Sequence, residues 1–408
     1  LVEYRYIHIL LFLSHKISNF ASIFEKANHS IMQKTKLLLI ASLLTFGFYS
    51  CSDEPETPTG EYEHISAEPS NKKGPVKGFY VLNEGNMGAN KATIDYFQYS
   101  TSDYLRNIYA ERNPSVVLEL GDSGNDIAIH NGRLYVVLSG SHKVEVLDAE
   151  TAIRIDVPSC RYIAFDGKSA YVSSFVGGDG NNGSVVRFDT ESLKVTGKVS
   201  VGLQPQEMVV ADNKLYVANS CVFMGESTTF DNTISVVDLS TFTQAGTITV
   251  DVNMHHLRKD GQGNLWVSSR GNYADIPSNL YKLTREGANK YSAPKALDTP
   301  CTNLAISGDK LYFYATVYDE NWNTTQKYGV VNTRTATVEP GSFITDGTEG
   351  EIMAPYCLAI QPANGDIFIT DARNYVSSGE LYCYTKEGKL KWHVKTGDIP
   401  GHIAFLEK

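Results

Sequence analysis

The sequence lacks the short motifs that mark the common catalytic and metal-binding sites. Its 408 residues contain no G-x-S-x-G, no H-E-x-x-H and no phosphate-binding loop. None of the six cysteines belongs to a C-x-x-C pair, which argues against a thiolate zinc site. The chain has a net charge of −10 and no block of Lys or Arg, so it lacks the clustered cations that binding to a phosphate backbone needs. We therefore expect neither a nucleic-acid partner, nor a bound metal or catalytic cofactor, nor an enzyme.

The first 50 residues have the composition of a targeting segment. The sequence begins with Leu1, and Met32 opens a stretch with two lysines followed by the apolar run 37–48. That run has the length of a signal peptide and is too short to span a membrane. We expect translation to start at Met32, residues 1–31 to be untranslated or disordered, and residues 32–50 to be the signal peptide.

A cysteine follows this segment at the position where bacterial lipoproteins carry lipid. Ser50 precedes Cys51, and the acidic residues behind Cys51 resemble the surface-export signal of Bacteroides-type lipoproteins. We predict lipidation of Cys51, attachment to the membrane by the lipid anchor only, and a location on the cell surface at the outer membrane. Residues 51–77 are rich in Pro, Glu, Ser and Lys, which indicates a flexible tether. The alternative is an ordinary periplasmic signal with an incidental cysteine.

A short apolar strand with an aromatic residue in its middle recurs along the rest of the chain. Most copies are about 35 to 55 residues apart, the spacing of four-stranded propeller blades. The copies are Phe79-Tyr80-Val81, Leu134-Tyr135-Val136, Ala170-Tyr171-Val172, Leu215-Tyr216-Val217, Leu265-Trp266-Val267, Leu311-Tyr312-Phe313 and Ile367-Phe368-Ile369. We predict an all-β fold over residues 78–408, a seven-bladed β-propeller with four antiparallel strands per blade.

The two ends of the repeat region complement each other. The stretch His402-Ile403-Ala404-Phe405 has the pattern of a blade's first, inner strand, but the chain ends before the next strand. The first copy, Phe79-Tyr80-Val81, has no inner strand before it. We therefore expect one blade to be closed by both termini. The count of seven is weakest at the long step from Tyr312 to Phe368.

The cysteines of the repeat region give little sign of a disulfide framework. Cys357 and Cys383 fall on the first and third strands of one repeat, and the strand between them separates them too far for a comfortable bridge. Cys160 and Cys221 lie at loop ends of neighbouring repeats, so the sequence leaves a disulfide between them open.

Two sets of loops share one face of such a ring. One set leads into the inner strands and surrounds the mouth of the central channel, and the other joins the second strand of each blade to the third. The second set is long and holds many large apolar side chains, which suggests a recognition surface for a sizeable, partly apolar ligand. The predicted ligand-binding residues are Asn86, Met87, Asn125, Asp126, Arg161, Tyr162, Phe175, Glu207, Phe223, His256, Arg270, Tyr273, Tyr318, Trp322, Tyr356, Arg373, Tyr375 and His402.

These residues also have other interpretations. The aromatic side chains can fold back onto their own blades, and the arginines can pair with acidic neighbours. Histidines at a channel mouth can be satisfied by internal hydrogen bonds instead of holding a metal. In a further alternative, Glu207, Asn125 and Asn303 converge as oxygen ligands of Ca²⁺ in a lactonase-like hydrolase.

The stretch 80–88, Tyr-Val-Leu-Asn-Glu-Gly-Asn-Met-Gly, resembles the opening of Bacteroides surface lipoproteins with YncE-like propellers. The resemblance continues through the Leu265-Trp266-Val267 strand and ends with the stretch 396–402, so that it covers essentially all of 78–408. Within that group the sequence is most similar to the BtuG family, which captures vitamin B12 and passes it to the transporter BtuB. The resemblance implies cobalamin or a related cobamide as the ligand and a BtuB-like TonB-dependent transporter as the partner. A surface propeller that binds a glycan or a protein is the alternative.

Overall fold

Antiparallel strands make up most of the chain in the computed structural model, which describes residues 62–68, 74–112, 119–148, 152–177, 182–224, 227–318 and 323–407. The predicted signal peptide, Cys51 and Trp322 lie outside these residues. Within them, no helix is both long and apolar enough to cross a membrane. The helical elements that are described are α1 (Ile108–Arg112) and a 3₁₀ turn at Thr348–Glu351.

The strands are numbered in chain order. The first twelve are β1 (Tyr62–His64), β2 (Val76–Asn83), β3 (Thr93–Gln98), β4 (Asp103–Leu105), β5 (Gly124–His130), β6 (Arg133–Leu138), β7 (Lys143–Leu147), β8 (Ala152–Asp156), β9 (Cys160–Asp166), β10 (Ser169–Ser174), β11 (Asn182–Asp189) and β12 (Val195–Leu203). The next twelve are β13 (Met208–Ala211), β14 (Lys214–Ala218), β15 (Cys221–Met224), β16 (Ser227–Phe230), β17 (Thr233–Asp238), β18 (Thr243–Thr249), β19 (Met254–Lys259), β20 (Leu265–Ser269), β21 (Asn279–Leu283), β22 (Arg285–Gly287), β23 (Lys290–Tyr291) and β24 (Lys295–Ala296). The last nine are β25 (Asn303–Ser307), β26 (Lys310–Tyr318), β27 (Thr324–Asn332), β28 (Thr337–Val338), β29 (Pro355–Ile360), β30 (Ile367–Asp371), β31 (Ser378–Tyr384), β32 (Leu390–Asp398) and β33 (Pro400–Glu407).

Seven of the sheets are blades of one ring, which confirms the predicted seven-bladed β-propeller. From the inner strand outward they are β33-β2-β3-β4-β1 (blade 1), β5-β6-β7-β8 (blade 2), β9-β10-β11-β12 (blade 3), β13-β14-β17-β18 (blade 4), β19-β20-β21-β24 (blade 5), β25-β26-β27-β28 (blade 6) and β29-β30-β31-β32 (blade 7). The inner strand of each blade contacts the inner strand of the next, and this circuit closes from blade 7 back to blade 1. The pairs β15–β16 and β22–β23 are separate hairpins.

Both ends of the chain form blade 1, as the sequence predicts. Strand β33 pairs with β2, so that Phe405 faces Phe79 and Ile403 faces Val81. Phe79 is fully buried, with its ring centre 5.1 Å from that of Phe97 and 4.9 Å from that of Phe368 in blade 7. The aromatic strand that marks each repeat therefore packs one blade against the next, and at this junction it also holds the two ends of the chain together.

Residues 62–68, which belong to the predicted tether, extend the junction between blade 1 and blade 7. Strand β1 adds a fifth strand to blade 1 by pairing with β4. Glu68, which is 8% exposed, accepts hydrogen bonds from Trp392 Nε1 at 2.9 Å and from Lys391 Nζ at 2.8 Å. Lys391 also binds Asp366 at 2.8 Å. The segment 62–68 thus links blade 1 to blade 7, and the polar composition that suggests a tether reflects this small charged cluster.

The cysteines and the turn aspartates have structural roles. Cys160 and Cys221 are buried and are not joined by a disulfide, so the bridge that the sequence left open does not form. Asp189 accepts a hydrogen bond from Ser192 N at 2.7 Å, and Asp238 accepts one from Thr241 N at 3.1 Å. Both aspartates close the turn between the third and fourth strands of their blades.

Gly388, in the turn between β31 and β32, provides a local test of the backbone. Its φ is +82°, and a Cβ there would lie 1.7 Å from the carbonyl oxygen of Phe343. We expect Gly388→Ala to lower the free energy of unfolding by about 1–3 kcal/mol, because the substitution adds both a disfavoured φ and a clash with backbone. Gly261→Ala is the control, since a Cβ there meets nothing within 4 Å, and it should change stability by less than about 0.5 kcal/mol. If urea unfolding shows equal losses of stability for the two substitutions, the expected strain at Gly388 is contradicted.

Candidate functional site

The predicted sharing of one face by two sets of loops is a consequence of the strand register. Pro400, at the start of β33, pairs with Asn83 at the end of β2, and Cys160 pairs with Ser174 in the same way in blade 3. The loop that leads into each inner strand therefore lies beside the loop that leaves the second strand. We call this end of the ring the loop face.

Side chains from four blades meet at the centre of the loop face. Tyr162 of blade 3 places its hydroxyl 2.9 Å from Nε2 of His255 in blade 5. The ring of Tyr162 also lies 6.0 Å from the ring of His402 in blade 1, and His402 Nδ1 lies 3.6 Å from Asp126 Oδ1 in blade 2. Because these blades are not all adjacent, the contacts span the channel, and the side chains fill its mouth.

An ion pair adjoins this cluster. Glu207, 7% exposed, pairs with Arg258 and accepts a hydrogen bond from Leu257 N at 2.8 Å. Nδ1 of His256 lies 3.4 Å from the same carboxylate. Burial opposes the charged form of Glu207, but Arg258 and His256 outweigh it and hold the pKa of that carboxyl below its usual range. We call Asp126, Tyr162, Glu207, His255, His256, Arg258 and His402 the channel plug.

Burial disfavours the charged form of the histidines in the channel plug. Burial lowers the pKa of His255 and of His256, and it lowers the pKa of His402 to about 3. Burial also raises the pKa of Asp126 to about 7. Burial therefore acts against charge in this region, and Glu207 is the carboxyl at which neighbouring positive groups outweigh it. The plug joins blades to one another, which is the internally satisfied alternative for these predicted ligand-binding residues.

The three groups proposed for a calcium site serve other partners. Asn125 donates to the carbonyl oxygen of Arg161 at 2.6 Å, and Asn303 donates to the carbonyl oxygen of Tyr356 at 3.1 Å. Each amide thereby links its blade to the next, while Glu207 belongs to the plug. Among the described residues, no three His, Cys, Asp or Glu side chains are grouped so that they can hold a metal ion.

Two arginines lie between the channel plug and the surface. Arg270 Nη2 is 3.0 Å from His255 Nε2, and the guanidinium of Arg161 lies 4.9 Å from the ring centre of Phe175. Glu84, at the end of β2, accepts a hydrogen bond from Tyr356 Oη at 3.0 Å. Burial raises the pKa of Glu84 to about 7, although the charges of Arg161 and Arg270 act to lower it. Glu84 is not among the residues predicted from the sequence, and its place directly after the end of β2 is the signal that could have identified it.

Aromatic residues of the loop face form two clusters. Tyr273 of blade 5 stacks with Phe223 at 6.4 Å and lies 6.5 Å from Phe230, both on the β15–β16 hairpin of blade 4. Tyr356 and Tyr375 of blade 7 form the second cluster, with ring centres 5.9 Å apart. All five are partly exposed, so they do not fold back completely into the blade cores. The structure thus places four of the predicted aromatic residues, Phe223, Tyr273, Tyr356 and Tyr375, in these two clusters.

Large apolar side chains are exposed around the same face. Met87 and Val176 are 57% and 42% exposed, and both lie in loops between second and third strands. Met353 and Val376 of blade 7 are 60% and 66% exposed. Of these four residues, only Met87 is a predicted ligand-binding residue. Exposed apolar groups at the rim of a polar mouth are typical of a binding surface.

Several residues of these loops have a strained backbone. Tyr273, Arg373 and Tyr375 have φ values of +60°, +51° and +62°. Bulky residues seldom adopt this conformation, which costs about 1–3 kcal/mol for each one and is enriched at functional sites. Arg373 also pairs with Glu380 at 3.5 Å and with Asp371 at 3.8 Å, so the alternative of an acidic partner holds for this arginine.

The remaining predicted positions differ in how well they fit a binding surface. Asn86 lies in the β2–β3 loop, and its Oδ1 is buried without a hydrogen-bond partner among the described residues. Tyr318 ends β26 at the loop face and is partly exposed. Trp322 falls outside the described residues, so its prediction stays open.

One protein-family model matches most of the chain. The family model of a domain of unknown function, DUF5074, matches residues 77–397. The chain belongs to the DUF5074 family. No curated protein sequence is significantly similar to this DUF5074 propeller.

Solved structures share the fold of the DUF5074 propeller at low sequence identity. A quinonprotein alcohol dehydrogenase-like protein of Bacteroides thetaiotaomicron is 14% identical with a TM-score of 0.57, covering 82% of this chain and 79% of that one. A putative 6-phosphogluconolactonase of Bacteroides fragilis is 12% identical with a TM-score of 0.56, covering 81% and 98%. Hydrazine synthase of Kuenenia stuttgartiensis is 15% identical with a TM-score of 0.52, covering 69% and 89%. At these identities the likeness concerns the fold alone, and two of the three proteins come from Bacteroides.

Proposed function

We propose that the loop face binds a large, partly apolar ligand, that this ligand is cobalamin or a related cobamide, and that the protein delivers it to a BtuB-like TonB-dependent transporter. One combination of features carries the proposal. Two aromatic clusters and exposed apolar side chains share the loop face with the partly buried guanidinium groups of Arg161 and Arg270. A ligand with an apolar rim and many amides suits such a surface. The resemblance to the BtuG family supports the choice of ligand.

The channel plug supports a binding role in which the ligand lies on the face. Its side chains fill the mouth, so a ligand meets a floor in which Tyr162 is hydrogen-bonded to His255 and Glu207 is paired with Arg258. Such a floor is preorganised, as is the closed ring around it. Little conformational freedom is then lost on association, which favours tight binding.

The direction of the chain at β1 supports delivery at a membrane. In the register of blade 1, Tyr62 pairs with Leu105 and His64 pairs with Asp103, so β1 runs away from the loop face. The N-terminal end of β1, at Tyr62, therefore lies on the side of the loop face. If Cys51 carries lipid, Tyr62 lies eleven positions beyond the anchor, a span of at most about 40 Å. A tether of that length would favour a loop face turned toward the membrane and a transporter within it.

Titration of the purified protein with cyanocobalamin tests the proposed function. We expect a dissociation constant at or below about 1 μM, and we expect Tyr273→Ala to weaken binding at least ~10-fold because it removes the ring shared by Phe223 and Phe230. Tyr62→Ala is the matched control, since Tyr62 is 61% exposed on the outermost strand of blade 1 and should not affect binding. Absence of binding at micromolar cyanocobalamin contradicts the cobalamin proposal. Saturable binding of a glycan instead would favour the alternative ligand.

A further inference from the structure

We propose that Arg161 and Arg270 form a subsite for an anionic group of the ligand, of the phosphodiester or carboxylate class. The inference rests on the proposed function in that it takes the loop face to be the binding surface. It adds the chemical identity of one ligand group and the two side chains that receive it.

Neither guanidinium has a carboxylate within 4 Å among the described residues. Several other arginines do, as Arg285 has Asp212 at 2.9 Å and Arg334 has Asp309 at 2.7 Å. Arg270 instead contacts His255, and Arg161 lies over the ring of Phe175. Nε of Arg161 is buried and has no hydrogen-bond partner in the described part of the chain. Two partly buried cations without a carboxylate partner require another source of negative charge.

The two arginines lie at the same part of the loop face, because Arg270 Nη2 is 3.0 Å from His255 Nε2, which is 2.9 Å from the hydroxyl of Tyr162, the residue after Arg161. The charges of both shift the pKa of Glu84, of Tyr162 and of His255, which lie at the centre of the loop face. His255 is neutral and so accepts from Arg270 without compensating its charge. The two guanidiniums therefore produce a local positive potential where the ligand is expected to lie.

Glu84 is a carboxyl that could occupy this subsite itself. Its hydrogen bond comes from Tyr356, and burial raises its pKa to about 7, so the neutral carboxyl is populated at neutral pH. It therefore leaves much of the charge of the two arginines uncompensated. Guanidinium groups bind phosphate and carboxylate oxygens through paired N–H donors, and such charge-assisted bonds are strong where water is partly excluded.

Anion binding at this subsite should be coupled to the protonation of Glu84. An anion beside Glu84 raises the pKa of its carboxyl further, so that binding takes up a proton. Affinity should then fall as pH rises through about 7, and Glu84→Gln should remove this fall. The other groups that face Glu84 are Arg161, Arg270, Tyr356 and the thiol of Cys357, and the pKa values of Tyr356 and Cys357 are raised far from neutrality.

The first experiment uses simple anions and does not depend on cobalamin. Thermal unfolding of the purified protein is followed in millimolar inorganic phosphate, in acetate and in chloride at matched ionic strength. We expect phosphate or acetate to raise the melting temperature of the natural protein above its value in chloride, and not that of the Arg161→Gln, Arg270→Gln double variant. Arg187→Gln is the matched control, because Arg187 also stacks on an aromatic ring, at 4.4 Å from that of Phe242, and it should keep the response. Loss of the response in the control, or no anion response in the natural protein, overturns the inference.

The second experiment separates this inference from the proposed function. Cyanocobalamin carries a phosphodiester, whereas dicyanocobinamide lacks it. Dicyanocobinamide also lacks the ribose and the base of the nucleotide, so the comparison of the two proteins isolates the contribution of the arginines. We expect the natural protein to prefer cyanocobalamin by ~10- to 100-fold, and the double variant to lose about tenfold of that preference. Equal binding of the two by the natural protein overturns the phosphodiester subsite and leaves the proposed function standing. Binding of neither, together with stabilisation by phosphate or acetate, overturns the cobalamin proposal and supports the anion subsite.

Discussion

A chain that ends at Ile399 is expected not to fold into a closed ring. The truncation removes β33, the inner strand of blade 1, and leaves the backbone of β2 unpaired along its whole inner side. It also removes Phe405, whose ring lies 6.0 Å from Phe79 and 5.6 Å from Phe368. The junction between the first and last blades would lose its hydrogen bonds and the centre of its aromatic core together, and an exposed strand edge promotes aggregation. Far-UV circular dichroism, size-exclusion chromatography and urea unfolding measure the loss.

The matched control for this truncation is the removal of Glu407 and Lys408 alone. Glu407 is exposed at the end of β33, so the shortened protein should keep a cooperative unfolding transition close to that of the natural protein. If the chain ending at Ile399 also keeps such a transition within a few degrees, the ends of the chain do not hold the ring together. The structure of blade 1 would then be a consequence of ring closure by the other six blades.

Local patterns in the sequence predict the blades because each blade repeats the same packing problem. The aromatic strand is apolar on both faces, since a neighbouring blade covers each side, and Tyr216 and Trp266 are accordingly almost fully buried. Alternation and turn residues then indicate where each strand ends. The closure of blade 1 could be predicted as well, because one inner strand and one aromatic strand lack partners in sequence.

Roles at the channel mouth could not be predicted, because they depend on side chains that cross the axis. The sequence places Tyr162, His256 and Glu207 at the mouth, yet nothing local shows that Tyr162 reaches His255 two blades away. The same holds for Glu68, which meets Trp392 across 324 residues of sequence. Polar residues at a mouth have two possible partners, a ligand or one another, and only the distances between blades decide which applies.

At the channel mouth Glu207 and Arg258 pair with each other. The two side chains differ in burial. Glu207 is almost fully buried, whereas the side chain of Arg258 is 37% exposed. Removing the arginine therefore leaves a carboxylate without its counter-ion in a poorly solvated place, whereas removing the glutamate leaves a cation that water can reach. The first change should be the more destabilising of the two, because the penalty of an uncompensated charge grows with burial.

We expect Arg258→Met to lower the free energy of unfolding by roughly 3 kcal/mol, the lower end of the range for a broken buried ion pair, since the arginine is partly exposed. The loss should depend on pH. In the natural protein the lowered pKa of Glu207 stabilises the fold above the unfolded-state value of about 4.3, and this contribution is lost as pH falls below it. Without Arg258 the carboxyl of Glu207 binds its proton more readily in the native state, so the loss of stability measured by urea unfolding should become smaller from about pH 7 to about pH 5.

Adding Glu207→Gln should restore part of the stability, and Lys168→Met, which breaks the exposed pair with Glu191, should change nothing measurable. A deficit independent of pH would mean that Arg258 acts through packing and not through the charge of Glu207.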